Sequence, residues 1–454
     1  MRNSASAKSA EPLRWIVYWL ILPHLLIILM WPIGGPPMQA VLTLSGISAL
    51  LISLVPWKLV QRVLLLALMV IVMAYYICAM FNISPLDVSI LPAFLREVHP
   101  WRSPVYVIGA LIVLVGGGAA LLKAPALPRL TSLRPLALAL VAVVALGQLD
   151  SVASAATSGS YNASPAPGDP FHAATGVTGL GMPPGDRRHV VVVIVEGLGM
   201  PSAPAEKALF DADWDRPNWR QHYEVSHGLV PYYGSTTNAE LRELCGTWGQ
   251  YFRFNFAEAD CLPKTYRSAG YETVAMHAFD GSFFDRTRWY PLLGFERVQF
   301  KTDLEAEGAR PCGGVFPGAC DNDIPILLTA RLKKAEKPQF IYWLTLNTHL
   351  PVIADPKLGT ERCDLGDVNW RTENLQLCRM FLLHHQLADA IDRMVTDPAL
   401  PPVDVLIVGD HMPPFTARDQ RTRFRPREVP WILLRSKDGS GVERKAGPTA
   451  IALR

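Results

Sequence analysis

His189-Val-Val-Val-Val-Ile-Val-Glu196 decides the fold of the second part of this 454-residue chain. Six consecutive β-branched residues are too few for a core helix, and no polar residue alternates among them to face water. They predict a strand buried on both faces, with Glu196 emerging at its carboxyl end. Working outward, Glu272–Met276, Gln339–Leu346, Val403–Val408 and Trp431–Leu434 read as further strands, and Cys378–Met394 as a helix. Apolar strands separated by helical stretches predict a mostly parallel sheet in an α/β sandwich. Ligands gather beyond the carboxyl ends of such strands. Glu196, Asn347-Thr-His-Leu-Pro351 and Gly409-Asp-His-Met-Pro-Pro414 each follow a predicted strand immediately, so the three segments are expected at one site.

The first part of the chain is of another kind. Half of all residues are hydrophobic, and the apolar excess lies before residue 150. Crossing a hydrocarbon core of about 30 Å takes about 20 helical residues. Five runs approach that length: Trp15–Trp31, Gln39–Trp57, Val63–Phe81, Pro104–Leu122 and Pro135–Leu149. Basic residues collect on the cytoplasmic side. Arg2, Lys8, Arg14, Lys58, Arg62, Lys123, Arg129 and Arg134 flank one side of the bundle, against Arg96 and Arg102 on the other. That bias puts the N-terminus inside, and five crossings then leave everything after residue 150 outside. A cleaved signal peptide is disfavoured by the long first run and the spans behind it.

Three regions follow: a five-helix transmembrane domain over 1–149, an Ala/Ser/Gly/Pro-rich linker over 150–186, and an extracytoplasmic domain over 187–454. The linker composition buries little and is expected to stay extended or mobile. A net charge of +3 on 454 residues argues against nucleic-acid binding; the membrane is the partner that composition predicts. Six cysteines (245, 261, 312, 320, 363 and 378) fall in the outer domain, an even number where disulfides persist. Sequence leaves 15 pairings open, and nearest neighbours, each clipping a local loop, are the expected ones. No CxxC spacing supports cysteine ligation of zinc.

Singly, the polar residues have plain explanations. Glu196 could cap a helix, Thr237 with Glu240 matches a capping box, His349 could be a hydrogen-bonded loop histidine, and Gly-Asp-His is a common turn. Together they fit attack on phosphorus. A hydroxyl at a helix N-terminus faces unpaired N–H groups that favour a phosphate beside it. A bound cation lowers the pKa of such a hydroxyl, and Glu196, Asp410 and His411 suit one divalent Mn²⁺, Zn²⁺ or Mg²⁺ ion.

On these motifs the chain resembles the lipoteichoic acid synthases and, more distantly, the phosphoethanolamine transferases, membrane-anchored sulfatase-like enzymes of the alkaline phosphatase superfamily. The resemblance spans about residues 186–435 and the helical anchor. Ser235-Thr-Thr-Asn-Ala-Glu-Leu241 is similar to the nucleophile segment, which implies Thr236 as nucleophile and metal ligand with Glu196, Asp410 and His411. Met276-His277, Ser282-Phe-Phe-Asp-Arg286 and Leu293-Gly-Phe295 match further segments. They imply substrate-binding roles for His277, Phe284 and Arg286, and His349 matches a phosphate-contacting histidine. Gly197, Phe284 and Asp410-His-Met-Pro-Pro depart from the usual Ser or Thr, Trp and Asp-His-Gly. The implied reaction moves a phosphoglycerol or phosphoethanolamine group from a phospholipid to an extracytoplasmic glycan or lipid-linked acceptor through a phosphothreonine. Alternatives are a phosphodiesterase, a sulfatase or an inactive lipid- or glycan-binding relative. The nearest approach to a sulfatase nucleophile motif, Cys261-Leu-Pro-Lys-Thr265, lacks its arginine.

Overall fold

The computed structural model describes residues 11–81, 101, 103–154, 164–415 and 417–437. Arg2, Lys8, Arg96 and Arg102, used above for orientation, lie outside the described residues, as do 155–163 of the expected linker and 438–454 of the expected outer domain. The chain divides into two compact units, one of N-terminal helices and one built on a β-sheet.

Four of the five expected spans are long and apolar enough to cross a membrane: Glu11–Met30, Lys58–Met80, Pro104–Ala126 and Leu133–Ala153. They mark the chain as membrane-anchored. The second expected span is shorter than read, a helix of 16 residues, Gln39–Leu54, about 24 Å at 1.5 Å per residue. Pro36-Pro37 before it and Pro56 after it bound the run. This helix nonetheless packs tightly within the bundle. A Cβ on Gly46 would come within 2.7 Å of Val143, so its backbone lies close against Leu133–Ala153. Near the end of the latter, Asp150 is buried and accepts hydrogen bonds from Trp31 Nε1 (2.9 Å) and the Met38 amide (2.7 Å). That amide begins the short helix, so the carboxylate satisfies one of its free donors.

The second unit contains a seven-stranded sheet. Its strands are β1 (His189–Val195), β2 (Tyr223–Pro231), β3 (Glu272–His277), β4 (Arg297–Gln299), β5 (Gln339–Leu344), β6 (Val403–Gly409) and β7 (Glu428–Ser436), in the order β2-β7-β6-β1-β5-β3-β4. From β6 to β4 the pairing is parallel, whereas β7 runs antiparallel to both β6 and β2. All five expected strands form, and the expected mostly parallel sheet becomes mixed at one edge. The two strands not read from sequence are the edge pieces. β4 has three residues, and β2 carries Glu224, Ser226 and His227 among residues that are largely part-exposed, so it lacks a buried apolar run. Every residue from Val190 to Val195 is fully buried. The expected helix over 378–394 forms as Leu375–Val395 and buries Leu377, Phe381, Leu387 and Ile391.

One expectation about the linker fails. Residues 173–181 are neither extended nor loose: Ala174–Val177 forms a helical turn, and Ala174, Thr175 and Leu180 are buried. Small residues lack apolar bulk, but they let backbone approach backbone, and here their amides bond to a buried carboxylate.

Candidate metal centre

Parallel pairing of β6, β1, β5 and β3 puts their carboxyl ends on one rim, where Asp410, Glu196, Thr345 and His277 follow or end the strands. The hydroxyl comes from elsewhere. Helix Thr236–Cys245 begins with Thr236, and Gly234 before it has φ +91°, a left-handed conformation that glycine supplies without steric cost. A Cβ there would also strike the Asn238 side chain. The cap is not the expected Thr237/Glu240 pair. The amide of Ser235 donates to Asn238 Oδ1 at 2.9 Å, while Thr237 and Glu240 are fully buried.

Thr236, Glu196, Asp410 and His411 meet. Thr236 Oγ1 lies 3.1 Å from Glu196 Oε2, 2.9 Å from Asp410 Oδ2 and 3.3 Å from His411 Nε2. Ligand atoms of Glu196, Asp410 and His411 all fall within 4.8 Å of one another. The electrostatics of this cluster call for a cation. His411 Nδ1 is 3.0 Å from the Met412 carbonyl, which can only accept, so Nδ1 carries the hydrogen and Nε2 presents its lone pair. That lone pair points at two carboxylates, 3.2 Å from Asp410 and 3.5 Å from Glu196. Only an added proton or a metal ion makes the approach favourable. Consistently, burial and then the charge of Glu196 push the Asp410 carboxyl up to about 7. Burial opposes charge on His411, and Asp410 with Glu196 overcomes it, so that ring is shifted upward. Two carboxylates, an imidazole nitrogen and a hydroxyl fit one divalent ion.

Side chains around the cluster fix the backbone beneath it. Thr345 Oγ1 accepts from the Glu196 amide (2.9 Å), and Thr348 Oγ1 donates to its carbonyl (2.6 Å). His384, buried on helix Leu375–Val395, approaches the same carbonyl through Nε2 at 3.3 Å. Asp410 Oδ1 accepts the amides of Gly197 (2.8 Å) and His411 (2.6 Å). Asp321 clasps the loop after β5: its Oδ2 accepts the Leu346 and Asn347 amides at 2.8 and 2.6 Å, and its own amide donates to Asn347 Oδ1 at 2.8 Å. Threonines flanking Asn347 were a readable signal; Asp321 and His384 lie far off in sequence and carried none.

The remaining expected site residues divide. His277 and His349 are each held by a carbonyl on Nδ1, from Leu344 at 3.1 Å and Leu350 at 2.7 Å. Burial keeps both neutral: His349 falls to about 4, and His277 is lowered by burial and then by the charge of Arg286. Each therefore offers Nε2 as an acceptor. His349 also lies against Phe316, with ring centroids 4.1 Å apart. Arg286 is buried and committed to Glu240, with Nη2 to Oε2 at 2.7 Å and Nε to the same oxygen at 3.2 Å. Phe284 covers the guanidinium at 5.0 Å, in a left-handed conformation (φ 57°) shared with Asp285 (φ 56°). Non-glycine residues held there mark a local strain that packing must offset. The hydroxyls of Tyr290 and Tyr342 complete the carboxylate's shell, the latter at 3.0 Å.

Disulfides join Cys245 to Cys261, Cys312 to Cys320 and Cys363 to Cys378, the nearest-neighbour pairing expected. Because Cys261 is bonded to Cys245, it is no free thiol for sulfatase-type chemistry.

Residues 232–441, a little under half of the chain, match the Sulfatase family model. The match begins after β1 and so leaves out Glu196. The chain is 26% identical over 196 residues to a protein of Rhizobium meliloti (strain 1021) named "Putative cyclic beta-1,2-glucan modification protein", covering 40% of this chain and 29% of that one. Among solved structures, the lipoteichoic acid synthase LtaP from Listeria monocytogenes is similar at 16% identity, covering 54% of this chain and 65% of that one, with a TM-score of 0.42. The lipooligosaccharide phosphoethanolamine transferase EptA from Neisseria meningitidis is similar at 17% identity over 94% of this chain and 88% of its own, with a TM-score of 0.48. Neither score reaches 0.5, and neither likeness fixes function.

Proposed function

We propose that this protein is a metal-dependent, membrane-anchored transferase that moves a phospholipid headgroup phosphate to an extracytoplasmic glycan through a phosphothreonine on Thr236. The observation that carries the reading is the Thr236 hydroxyl, at a helix N-terminus and within 3.3 Å of Glu196, Asp410 and His411 together. Those four side chains would hold one divalent ion. When bound, the ion supplies Lewis acidity that lowers the hydroxyl's pKa and offsets charge on the phosphoryl oxygens.

In the first step Thr236 Oγ attacks phosphorus, its proton is lost, and the bond to the diacylglycerol oxygen breaks; diacylglycerol leaves protonated. In the second step an acceptor hydroxyl attacks, the bond to Thr236 Oγ breaks, and the threonine regains a proton. The positive end of the dipole of helix Thr236–Cys245 favours the transferring phosphate beside Thr236. His277 and His349, both neutral with Nε2 open, accept hydrogen bonds from headgroup or acceptor hydroxyls. Arg286 is gripped by Glu240 along its Nε edge and donates Nη1 to the Phe283 carbonyl at 3.4 Å, so the second Nη1 hydrogen is the one offered to a phosphate oxygen, and Phe284 bounds that subsite.

A phosphoglycerol or phosphoethanolamine donor suits an enzyme whose anchor never leaves the bilayer. The glucan-modifying name of the Rhizobium relative favours a glucan as acceptor, with a lipid-linked glycan as the other candidate. Three disulfides favour the oxidising side of the membrane for this domain, and the basic flanks favour an inside N-terminus. Both hold only if crossings are odd in number, so Gln39–Leu54 also crosses, its short length met by local thinning of the bilayer.

Full-length protein incubated with phosphatidylglycerol or phosphatidylethanolamine carrying a labelled headgroup, plus a glucan, tests the reading. Label appearing on the glucan is expected. Label released only as free phosphoalcohol would favour the hydrolytic alternative, since the same centre serves water as acceptor. No turnover despite tight metal binding would favour an inactive lipid- or glycan-binding relative.

A further inference from the structure

Residues 173–181 and helix Thr236–Cys245 share one buried carboxylate. The amides of Ala174 and Thr175 donate to Glu243 Oε1 and Oε2 at 3.1 and 2.9 Å, and Thr175 Oγ1 donates to the Glu243 carbonyl at 2.8 Å. This strap is itself held, since the Gly181 amide donates to the Thr175 carbonyl (2.8 Å) and Tyr266 donates to the Leu180 carbonyl (2.9 Å). On the other side, Glu243 Oε1 accepts Arg242 Nε at 2.6 Å. Arg242 then reaches under the metal centre: Nη2 donates to the Gly409 carbonyl at 2.8 Å and Nη1 to the Asp410 carbonyl at 3.4 Å. None of Ala174, Thr175, Arg242 and Glu243 is more than 2% exposed, so water cannot replace these bonds.

Thr236 and Arg242 lie on one helix, and Asp410 follows β6. One guanidinium therefore sets the distance between the element bearing the hydroxyl and the loop bearing the carboxylate, and that guanidinium is aimed by a carboxylate which the strap amides fix. We propose that Arg242 and Glu243 are positioning residues, and that the strap over 173–181 is the clasp that aligns Thr236 with Asp410 through them. Loss of the strap contacts leaves Glu243 free to swing, and Arg242 with it. Misplacement by about 1 Å in such a centre costs about 10²-fold in rate. The proposal rests on the reading of Thr236 and Asp410 as nucleophile and metal ligand, and part of its test is independent of turnover.

The test uses full-length protein in detergent with Mn²⁺ as probe. Ala174→Pro removes one strap amide at the first helical position, where proline fits. Thr175→Val removes the hydroxyl bond, Thr175→Ser restores it, and Arg242→Lys keeps the charge but loses the fork. Readouts are the Mn²⁺ dissociation constant by chelator competition, the single-turnover rate of adduct formation, KM for donor lipid, and the melting temperature. Ala174→Pro and Thr175→Val are expected to raise the Mn²⁺ Kd and lower the adduct rate by about 10-fold each, with KM unchanged. Thr175→Ser should return both values. Adding Ala174→Pro to Arg242→Lys should have less than its separate effect, because both act through one contact chain. Wild-type Kd and adduct rate in the strap variants, with only a lower melting temperature, would overturn the proposal, as would independent effects in the double variant. Shifted Mn²⁺ affinity without any adduct in the wild type would uphold the clasp and count against the proposed transferase instead.

Discussion

Arg286→Met removes the cation from a fully buried carboxylate. Glu240 and Arg286 are 0% and 2% exposed. Burial alone would lower the arginine's pKa, yet the charge of Glu240 and its hydrogen bonds raise it, so the guanidinium stays charged. Breaking such a pair by deleting one partner typically costs about 3–5 kcal/mol, because the other charge is left uncompensated. Here Tyr290 and Tyr342 still donate to Glu240, which puts the expected loss near the lower end, about 3 kcal/mol. The double variant Glu240→Gln/Arg286→Met carries no buried charge at this point and should recover about 2 kcal/mol of that loss. Urea unfolding of the four proteins of the cycle, followed by tryptophan fluorescence, measures both quantities. The consequence is practical: loss of activity in Arg286→Met would include loss of fold. A cost below about 1 kcal/mol with activity abolished would refute the reasoning and leave Arg286 chiefly a phosphate ligand.

Asp321 gives a pH dependence of definite sign. Burial raises its pKa to about 7 from the usual 3.8, so the native state binds this proton more tightly than the unfolded chain does. Stability should therefore fall as pH rises from about 4 to about 7, by at most about 1.4 kcal/mol per pH unit, and Asp321→Asn should flatten that slope in melting curves with chelator present. Opening the Cys245–Cys261 bridge, 16 residues apart, by a double serine variant should lower unfolding free energy by about 3 kcal/mol; no change in the urea midpoint would contradict this. A membrane-impermeant amine reagent should label the exposed Lys357 in intact spheroplasts, and protection of Lys357 until lysis would place the sheet domain inside.

Much of this was legible because the signals were local. A six-residue apolar run can only be a buried strand, and the residue after it must lie on the rim, so Glu196 and Asp410 were placed by arithmetic. The hydroxyl was legible through the resemblance of Ser235-Thr-Thr-Asn-Ala-Glu-Leu241 to a known nucleophile segment, whereas the residues alone suggested a cap at Thr237 and the helix in fact starts at Thr236 behind Ser235. What escaped reading depends on distant partners. Glu240 looked like a capping residue until Arg286 and Tyr342 converged on it, and Asp321 and His384 act on backbone that sequence does not bring near them. The strap was misjudged for a related reason: composition measures apolar bulk, whereas Ala174 and Thr175 are held by their amides.

The most direct test is to quench full-length protein after mixing with phospholipid and divalent metal, then digest and locate any adduct by mass spectrometry. The account predicts a phosphoalcohol ester on Thr236, present with metal, missing with chelator and missing in Thr236→Ala. An ester on another residue, or one that forms equally well with chelator, would contradict it.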